Sequence, residues 1–521
     1  MVLNEQTEMK IDDPPHIVEG SEESQIQKMF SGSTVFVTGG TGFLGKLLVE
    51  KLLRSCPDIK KLYLLTRAKK NKNAMERLQE QFEDLLYDKL RKEKPDFMQK
   101  IGIIEGDMCQ INLGMSDADR GKIIQEVEFI FHGAATVRFD ETLKTAVEIN
   151  VRGTREMLQL AHACTKLRAL VHISTAYSNC NLSEIDEKFY DINLPGEKLI
   201  NLVENTDENT LKKMTLGLIG DLPNTYAYTK SAAEDIIQKH SQGLPVAIIR
   251  PSIVISTMRE PVPGWIDNIY GPTGMVLGVC LGLIHSLQCN PRAIADLVPG
   301  DYVINGIIAV AWKTAKDYPV NCEHSPSDNS PTVYNYVSSE QNPITWGKFI
   351  NILEVYGFHM VFTQIMWKYV LWMTPSKFLH NFYCLLLHWI PAYVVDTIAI
   401  TIRKKPVLRK AYEKIGKFSE VISFFAIREW KFHNKNTLNL LKELDDADKH
   451  IFNFDIGSFK WDEYFKDYLK GIRLYLLKDP LETIPQAKKK YFKLVLAHYF
   501  LVSLIVFGLL KLMWCLMKLF M

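Results

Sequence analysis

From residue 33 onward, short apolar runs alternate with amphipathic stretches. The runs are STVFVTGG (33–40), KKLYLLTR (60–67), IGIIEGDM (101–108), EVEFIFHGAA (126–135), ALVHIST (169–175) and VAIIRPSIVIS (246–256). Between them lie patterns of helical period, such as GKLLVEKLL and GTREMLQLAHAC. A run that is apolar at consecutive positions has no face for water, so these strands are expected to be covered on both sides. The order predicts an α/β fold, a doubly wound parallel Rossmann sheet, over residues 32–345. No segment repeats at a fixed period.

Beyond residue 256 the alternation stops. REPVPGWIDNIYGPTGM (259–275) reads as a Pro/Gly-rich loop, in which Trp265 is an odd choice for a solvated turn. Residues 361–402 are apolar and aromatic but interrupted by Pro375, Pro391, His380, His388 and Asp396. That makes poor membrane-spanning material and suits buried helices or a surface dipping into a membrane. This stretch belongs to a mainly helical second unit, expected over 346–475. The first 31 residues are acidic and polar and read as a disordered lead-in. At the other end a basic linker (476–493) precedes LVLAHYFLVSLIVFGLL (494–510), free of charge and extendable to Met517 as a membrane anchor. A full span, a monotopic anchor and a buried core helix all fit that composition. The cluster Lys488, Lys489, Lys490 and Lys493 would keep the large N-terminal part in the cytosol. Endoplasmic reticulum, peroxisome and lipid droplet all fit as the membrane, the first two being the expected pair.

Composition narrows the classes. A length of 521 residues calls for more than one unit, and a 47% hydrophobic content supports a large core. The net charge of +2 argues against a nucleic-acid partner. Nine scattered cysteines, with no CxxC pair and no Cys/His cluster, point to a reduced protein without a metal site.

Candidate chemistry begins at TGGTGFLG (38–45), where Gly39, Gly42 and Gly45 close the first strand and open a helix. Glycines there permit a tight turn and a close approach to a pyrophosphate, whose charge the helix N-terminus favours. A site for NAD usually carries an acid at the end of the second strand. This strand ends LLTRAKK instead, with Arg67, Lys69 and Lys70. Arg67 can fork onto a 2′-phosphate, which favours NADPH, while the two lysines also read as a solvated basic loop. Asp107, ending the third strand, is either a contact for the adenine amino group or a turn aspartate. The small residues of HGAA (132–135), Ala134 among them, let a cofactor lie close to the backbone.

In NTYAYTKSAAED (224–235), Tyr226 and Lys230 are four apart and share a helix face, whereas Tyr228 and Lys230 do not. Tyr226 is thus the candidate acid, with Tyr228 assigned to packing. A neighbouring ammonium is expected to lower the phenol's pKa toward the working range. Ser174 and Thr175, at the end of the fifth strand, offer the hydroxyl that holds a substrate oxygen.

Glycine loop, Thr175, Tyr226 and Lys230 in this order resemble an extended short-chain dehydrogenase/reductase. More narrowly, the chain resembles the alcohol-forming fatty acyl-CoA reductases, the male-sterility family. That match rests on VTGGTGFLGKLLVEKLLRSCP (37–57), NTYAYTK (224–230), RPSIV (250–254), EPVPGWIDNIYGPTG (260–274) and PAYVVDTIAITIRKKP (391–406). It covers roughly residues 33–470. The resemblance implies Thr175, or alternatively Ser174, as the group orienting the carbonyl, Tyr226 as proton donor and Lys230 as its partner. It places Thr38, Phe43, Leu44, Ala134 and Pro251 along the cofactor, and Asn150 behind the lysine through a water. Gly300 and Arg403 depart from the family pattern. The implied reaction is a two-step, four-electron reduction of a long-chain acyl-CoA to a primary alcohol by NADPH, with membrane lipid as the surrounding partner. A membrane-bound sterol or hydroxysteroid dehydrogenase would share the Rossmann half, and a non-catalytic lipid-binding relative is a further reading. Oligomeric state is not legible.

Overall fold

The computed structural model describes residues 23–68, 72–318 and 330–520. Its central sheet has seven strands: β1 (Thr34–Thr38), β2 (Lys61–Thr66), β3 (Ile101–Glu105), β4 (Phe129–His132), β5 (Ala169–Ile173), β6 (Val246–Pro251) and β7 (Thr332–Tyr336). They run in the order β3-β2-β1-β4-β5-β6-β7, and every neighbouring pair is parallel. β1, β4, β5 and β6 are buried at each position, which is why their sequences show no alternation. The order reverses between β1 and β4, so the C-terminal ends of these strands frame a crevice. The last apolar run divides at Pro251. Lacking an N–H, proline cannot extend the ladder, and Ile253–Ile255 turns away to pair with Leu297–Pro299. β7 was not expected from the pattern. It pairs only with β6, and its TVYNY sequence carries Asn335, which donates to the carbonyls of Ile185 and His433.

Helices cover both faces. Those that matter for the site are α2 (Phe43–Ser55), α3 (Ala74–Glu83) and α4 (Thr225–His240). The expected disordered lead-in is corrected over its last residues, because α1 (Gln25–Phe30) is a packed helix. Ser24 caps it and donates to Asp448, while Phe30 lies 4.5 Å from Phe129 of β4. Residues 1–22 lie outside the described residues.

The second half is mainly helical and shares its core with the first. Phe452, Tyr464, Phe465 and Tyr468 belong to the same hydrophobic cluster as β1 and β5, and Lys431–Phe432 pairs with Glu184–Ile185. Trp265 is fully buried and stacks on Phe43 at 5.4 Å, so its loop seals one side of α2. α5 (Lys377–Cys384) and α6 (Ile390–Thr401) are joined by a π-helical turn at Leu385–Trp389. They are not the buried pair the composition allowed: their outer face is exposed, Phe378 by 78%. α7 (Leu408–Ala426) then runs back along the body. The expected basic linker is corrected as well. From Ile484 the chain is one helix, α8 (Ile484–Phe520), which carries the lysines and the apolar run together. Its only proline, Pro485, sits in the first turn, where no amide partner is lost. Among the described residues, two stretches, Lys377–Thr401 and Leu481–Lys518, are long and apolar enough to cross a membrane.

Candidate active site

The turn after β1 is forced by close backbone approach. Gly39 adopts φ +78°, and a Cβ there would lie 2.7 Å from the Ala134 nitrogen. A Cβ on Gly45 would lie 2.0 Å from the Gly39 carbonyl oxygen. Gly42 opens α2 without a side-chain cap, which leaves the first amides of the helix free for an anion. Thr38 Oγ1 accepts from the Ala134 amide at 3.2 Å and pairs with His132 Nδ1 at 2.8 Å, tying the ends of β1 and β4 together. Phe43 and Leu44 are the half-buried first residues of α2. The fit to a pyrophosphate is good.

At the far end of this crevice, Arg67 and Asp107 form an ion pair at 3.5 Å. A residue that pattern reading missed joins them. Arg77, on α3, donates to the Arg67 carbonyl at 2.5 Å and reaches Thr41 Oγ1 at 3.4 Å. Burial, and then the Arg67 guanidinium, lower its pKa. Arg67 and Arg77 thus bring two arginines to this side of the glycine turn. No motif spacing announces Arg77, because a helix brings it back over the turn. Lys69 and Lys70 lie outside the described residues.

The hydroxyl groups gather above β5. The backbone beyond Ile173 stays tied to β6: Ser174 N–H donates to Ile249 and Ala176 N–H to Pro251. That positions Thr175 at the strand's C-terminal end. Asn224 caps α4 by accepting from Ala227 N–H, and of residues 224–230 Tyr226 alone is only half-buried, the rest being buried. The Thr175 side chain acts on the Tyr226 phenol, as the one group that favours the ionised form. Tyr228, by contrast, sits in the core with an unpartnered hydroxyl. Ser174 is committed elsewhere: it donates to Glu234 at 2.5 Å, and Glu234 is held by the fully buried Arg250 at 2.6 Å. This separates the two hydroxyl candidates geometrically and leaves Thr175 facing Tyr226.

Lys230 does not do what was expected of it. Its ammonium donates to the Ile173 carbonyl at 2.6 Å, and burial pushes its pKa down to about 8 against the raising effect of Glu234. Burial likewise pushes the Tyr226 phenol up to about 12, with only the Thr175 hydrogen bond opposing it. The expectation of a phenol lowered by the lysine is therefore corrected. Desolvation outweighs a cation whose hydrogen bond is spent on a strand carbonyl, and Tyr226 is a neutral donor at physiological pH. Asn150 lies in a π-helical turn (Glu148–Arg152), accepts from Thr136 N–H and donates to Thr229 at 2.9 Å. It braces the turn of α4 that carries Lys230.

One wall of the opening comes from the second half of the chain. Phe139 lies 5.8 Å from Tyr226 and 6.0 Å from Phe425 of α7, which also meets Tyr177 at 5.2 Å. Neither phenylalanine stands out in sequence. Among the described residues no group of His, Cys, Asp and Glu could hold a metal ion.

Comparison with known proteins agrees with this architecture. Models of the male sterility protein family match residues 37–307 and 387–479. The chain is 40% identical to fatty acyl-CoA reductase wat of Drosophila melanogaster over 478 residues, covering 92% of this chain and 90% of that protein. It is 37% identical to fatty acyl-CoA reductase 2 of Mus musculus, covering 91% of each. Among solved structures, the reductase domain of a nonribosomal peptide synthetase from Mycobacterium tuberculosis superposes with a TM-score of 0.58 at 20% identity, over 85% of this chain and 92% of that one. The terminal R domain of the myxalamid pathway gives 0.54 at 20% identity, over 85% and 91%. These two show the shared fold. Motifs, fold and relatives agree: the chain belongs to the fatty acyl-CoA reductase, or male sterility protein, family.

Proposed function

We propose that this oxidoreductase uses NADPH to reduce a long-chain fatty acyl-CoA to the primary alcohol, releasing CoA. The observation that carries the reading is the pairing of Thr175 with a half-buried, protonated Tyr226 at the end of β5, in a chain of this family. Gly39, Gly42 and Gly45 with the first turn of α2 would hold the pyrophosphate, and Arg67 and Arg77 a 2′-phosphate. When bound, the reduced nicotinamide supplies hydride, once to the thioester carbon and once to the aldehyde carbon.

The protein's own groups handle oxygen and proton. Thr175 and Tyr226 donate hydrogen bonds to the carbonyl oxygen, strengthening as it gains charge. Collapse of the resulting hemithioacetal breaks the C–S bond and expels CoA thiolate. The aldehyde oxygen returns to the same two hydroxyls, and Tyr226 gives its proton to the alkoxide. With a pKa held high, the phenol keeps that proton until an alkoxide, a much stronger base, forms beside it. The Lys230 ammonium supplies positive charge on the next turn of α4. Phe139 and Phe425 shield the opening from water, which strengthens each of these interactions.

The anchor follows from the same chemistry, since acyl chain and alcohol both partition into lipid. α8 would seat in a membrane with Lys488, Lys489, Lys490 and Lys493 on the cytosolic side, where the catalytic part lies. Product analysis of protein-bearing membranes given palmitoyl-CoA and NADPH tests the reading. Hexadecanol formed with two NADPH consumed per alcohol is expected. No alcohol and no aldehyde across several chain lengths, with cofactor binding intact, would overturn it.

A further inference from the structure

Outside α8, the α5–α6 segment carries a long run of exposed apolar side chains, and its two faces are sorted in an unusual way. Phe378, Phe382, Leu386, Ile390, Val394 and Ile398 recur every fourth residue, and all six are exposed. Offset from them by two positions, His380, His388, Ala392 and Asp396 face the body. Two residues turn a helix by about 200°, so the series occupy opposite sides. Each inward polar group has a partner. His380 meets Ser286 at 2.9 Å, His388 accepts from His285 N–H at 2.9 Å, and Asp396 accepts from the amides of Val407, Leu408 and Arg409. On the outer side, the hydroxyls of Thr397 and Thr401 bond back to carbonyls of their own helix. This is the reverse of a water-facing helix, which hides its apolar stripe and shows its charges.

The surroundings name the partner. Just before α5, the chain at 361–368 cradles the base of α8: Ala487 is buried against Val361 and Ile365, Lys490 donates to Thr363, and Trp367 donates to His498 at 3.1 Å. The apolar helix therefore starts within ten residues of the place where α8 leaves the body. At its other end α6 stops at Arg403 in a left-handed conformation. Arg403, Lys404, Lys405, Arg409 and Lys410 follow, with no acid between residues 397 and 412. A basic rim beside an apolar face suits anionic headgroups at a bilayer surface. Both ends are tied to the same body, by Trp372–Thr374 pairing with Ser286–Gln288 and by Asp396 capping α7. The segment cannot pass to the far side.

We infer that the outer face of α5–α6 lies in the near leaflet of the bilayer, parallel to its plane, as a second membrane contact beside α8. The inference rests on the reading of α8 as an anchor. Seated at two points, the body cannot swivel about one helix. α7, which starts where Tyr412 stacks on His388 at 4.8 Å and ends at Phe425 in the catalytic opening, leads from that lipid surface to the site.

The test places a photo-crosslinking phenylalanine analogue at Leu386, Val394, Ile505 or Lys417, one at a time, in the full chain. Each protein is reconstituted in vesicles of phosphatidylcholine and phosphatidylserine and illuminated. Lipid adducts at Leu386 and Val394 should match those at Ile505 and exceed those at Lys417, on the water side of α7, roughly ten-fold. Lipid adducts at Ile505 with none at Leu386 and Val394 would overturn the inference while leaving the anchor standing. Protein–protein adducts at Leu386 and Val394 would also overturn it, assigning the face to a second copy. Adducts at neither Ile505 nor the α6 side would sink both readings, and adducts at Leu386 and Val394 alone would overturn the pairing with α8 on which the inference rests.

Discussion

Raising the pH through 8 should cost this protein activity while making its fold more stable, and Lys230 is the reason. Burial pushes the ammonium from an ordinary 10.5 down to about 8. Above that value the charged fraction beside Tyr226 drops about ten-fold per pH unit, and kcat/KM should fall with it. Tyr226 cannot cause such a limb, because its phenol titrates near 12. Stability moves the other way. Between pH 8 and 10.5 the unfolded chain binds the lysine proton and the native one does not, so the unfolding free energy rises with pH. A shift of this size corresponds to roughly 3 kcal/mol, a penalty fully present below pH 8 and relieved by pH 10.5. Buried thiols such as Cys56, Cys280 and Cys289, pushed up to about 12, act in the opposite sense above pH 9. The lysine's part is therefore the difference between wild type and Lys230→Met, read by thermal unfolding at each pH. Lys230→Arg, charged throughout, should lack the limb at whatever activity remains. Activity and stability falling together, with the same stability profile in Lys230→Met, would refute the assignment.

Arg67→Ala and Arg77→Ala should each weaken NADPH about 10- to 100-fold, the worth of a charge-assisted hydrogen bond, with little change for NADH; titration of cofactor fluorescence decides, and equal losses for both cofactors would place the phosphate elsewhere. Gly45→Ala should abolish cofactor binding, since its Cβ would need the space of the Gly39 carbonyl; near-normal affinity in the same titration would show the turn to be slack. Tyr228→Phe should leave turnover unchanged and thermal stability equal or higher, because it removes a buried hydroxyl that has no partner; a large loss of turnover would reopen the choice between the two tyrosines.

Strands buried on both faces write themselves into sequence as unbroken apolar runs, so β1, β4, β5 and β6 were legible, and the largely apolar β2 and β3 with them. The edge strand β7, with Asn335 inside it, was not. The glycine turn and the Tyr226–Lys230 spacing were legible because each follows from local geometry: one tight turn, one helix face. Arg77, Phe139 and Phe425 come from separate elements and meet only through the fold. Glu234 was within reach, lying four residues past Lys230 on the same helix face. The charge states could not be read at all, since proximity alone predicted a lowered phenol and burial reversed it. The C-terminal apolar helix was legible in outline, but the basic stretch before it is helical too, because nothing after Pro485 breaks the helix.

The most direct test is alcohol formation by Tyr226→Phe in membranes supplied with palmitoyl-CoA and NADPH, with NADPH binding measured on the same preparation. Binding within about two-fold of wild type and turnover lowered at least 100-fold is the expected result, the loss of a general acid. Unchanged alcohol production by a variant that binds NADPH normally would contradict the role given to Tyr226 and, with it, the catalytic site described above.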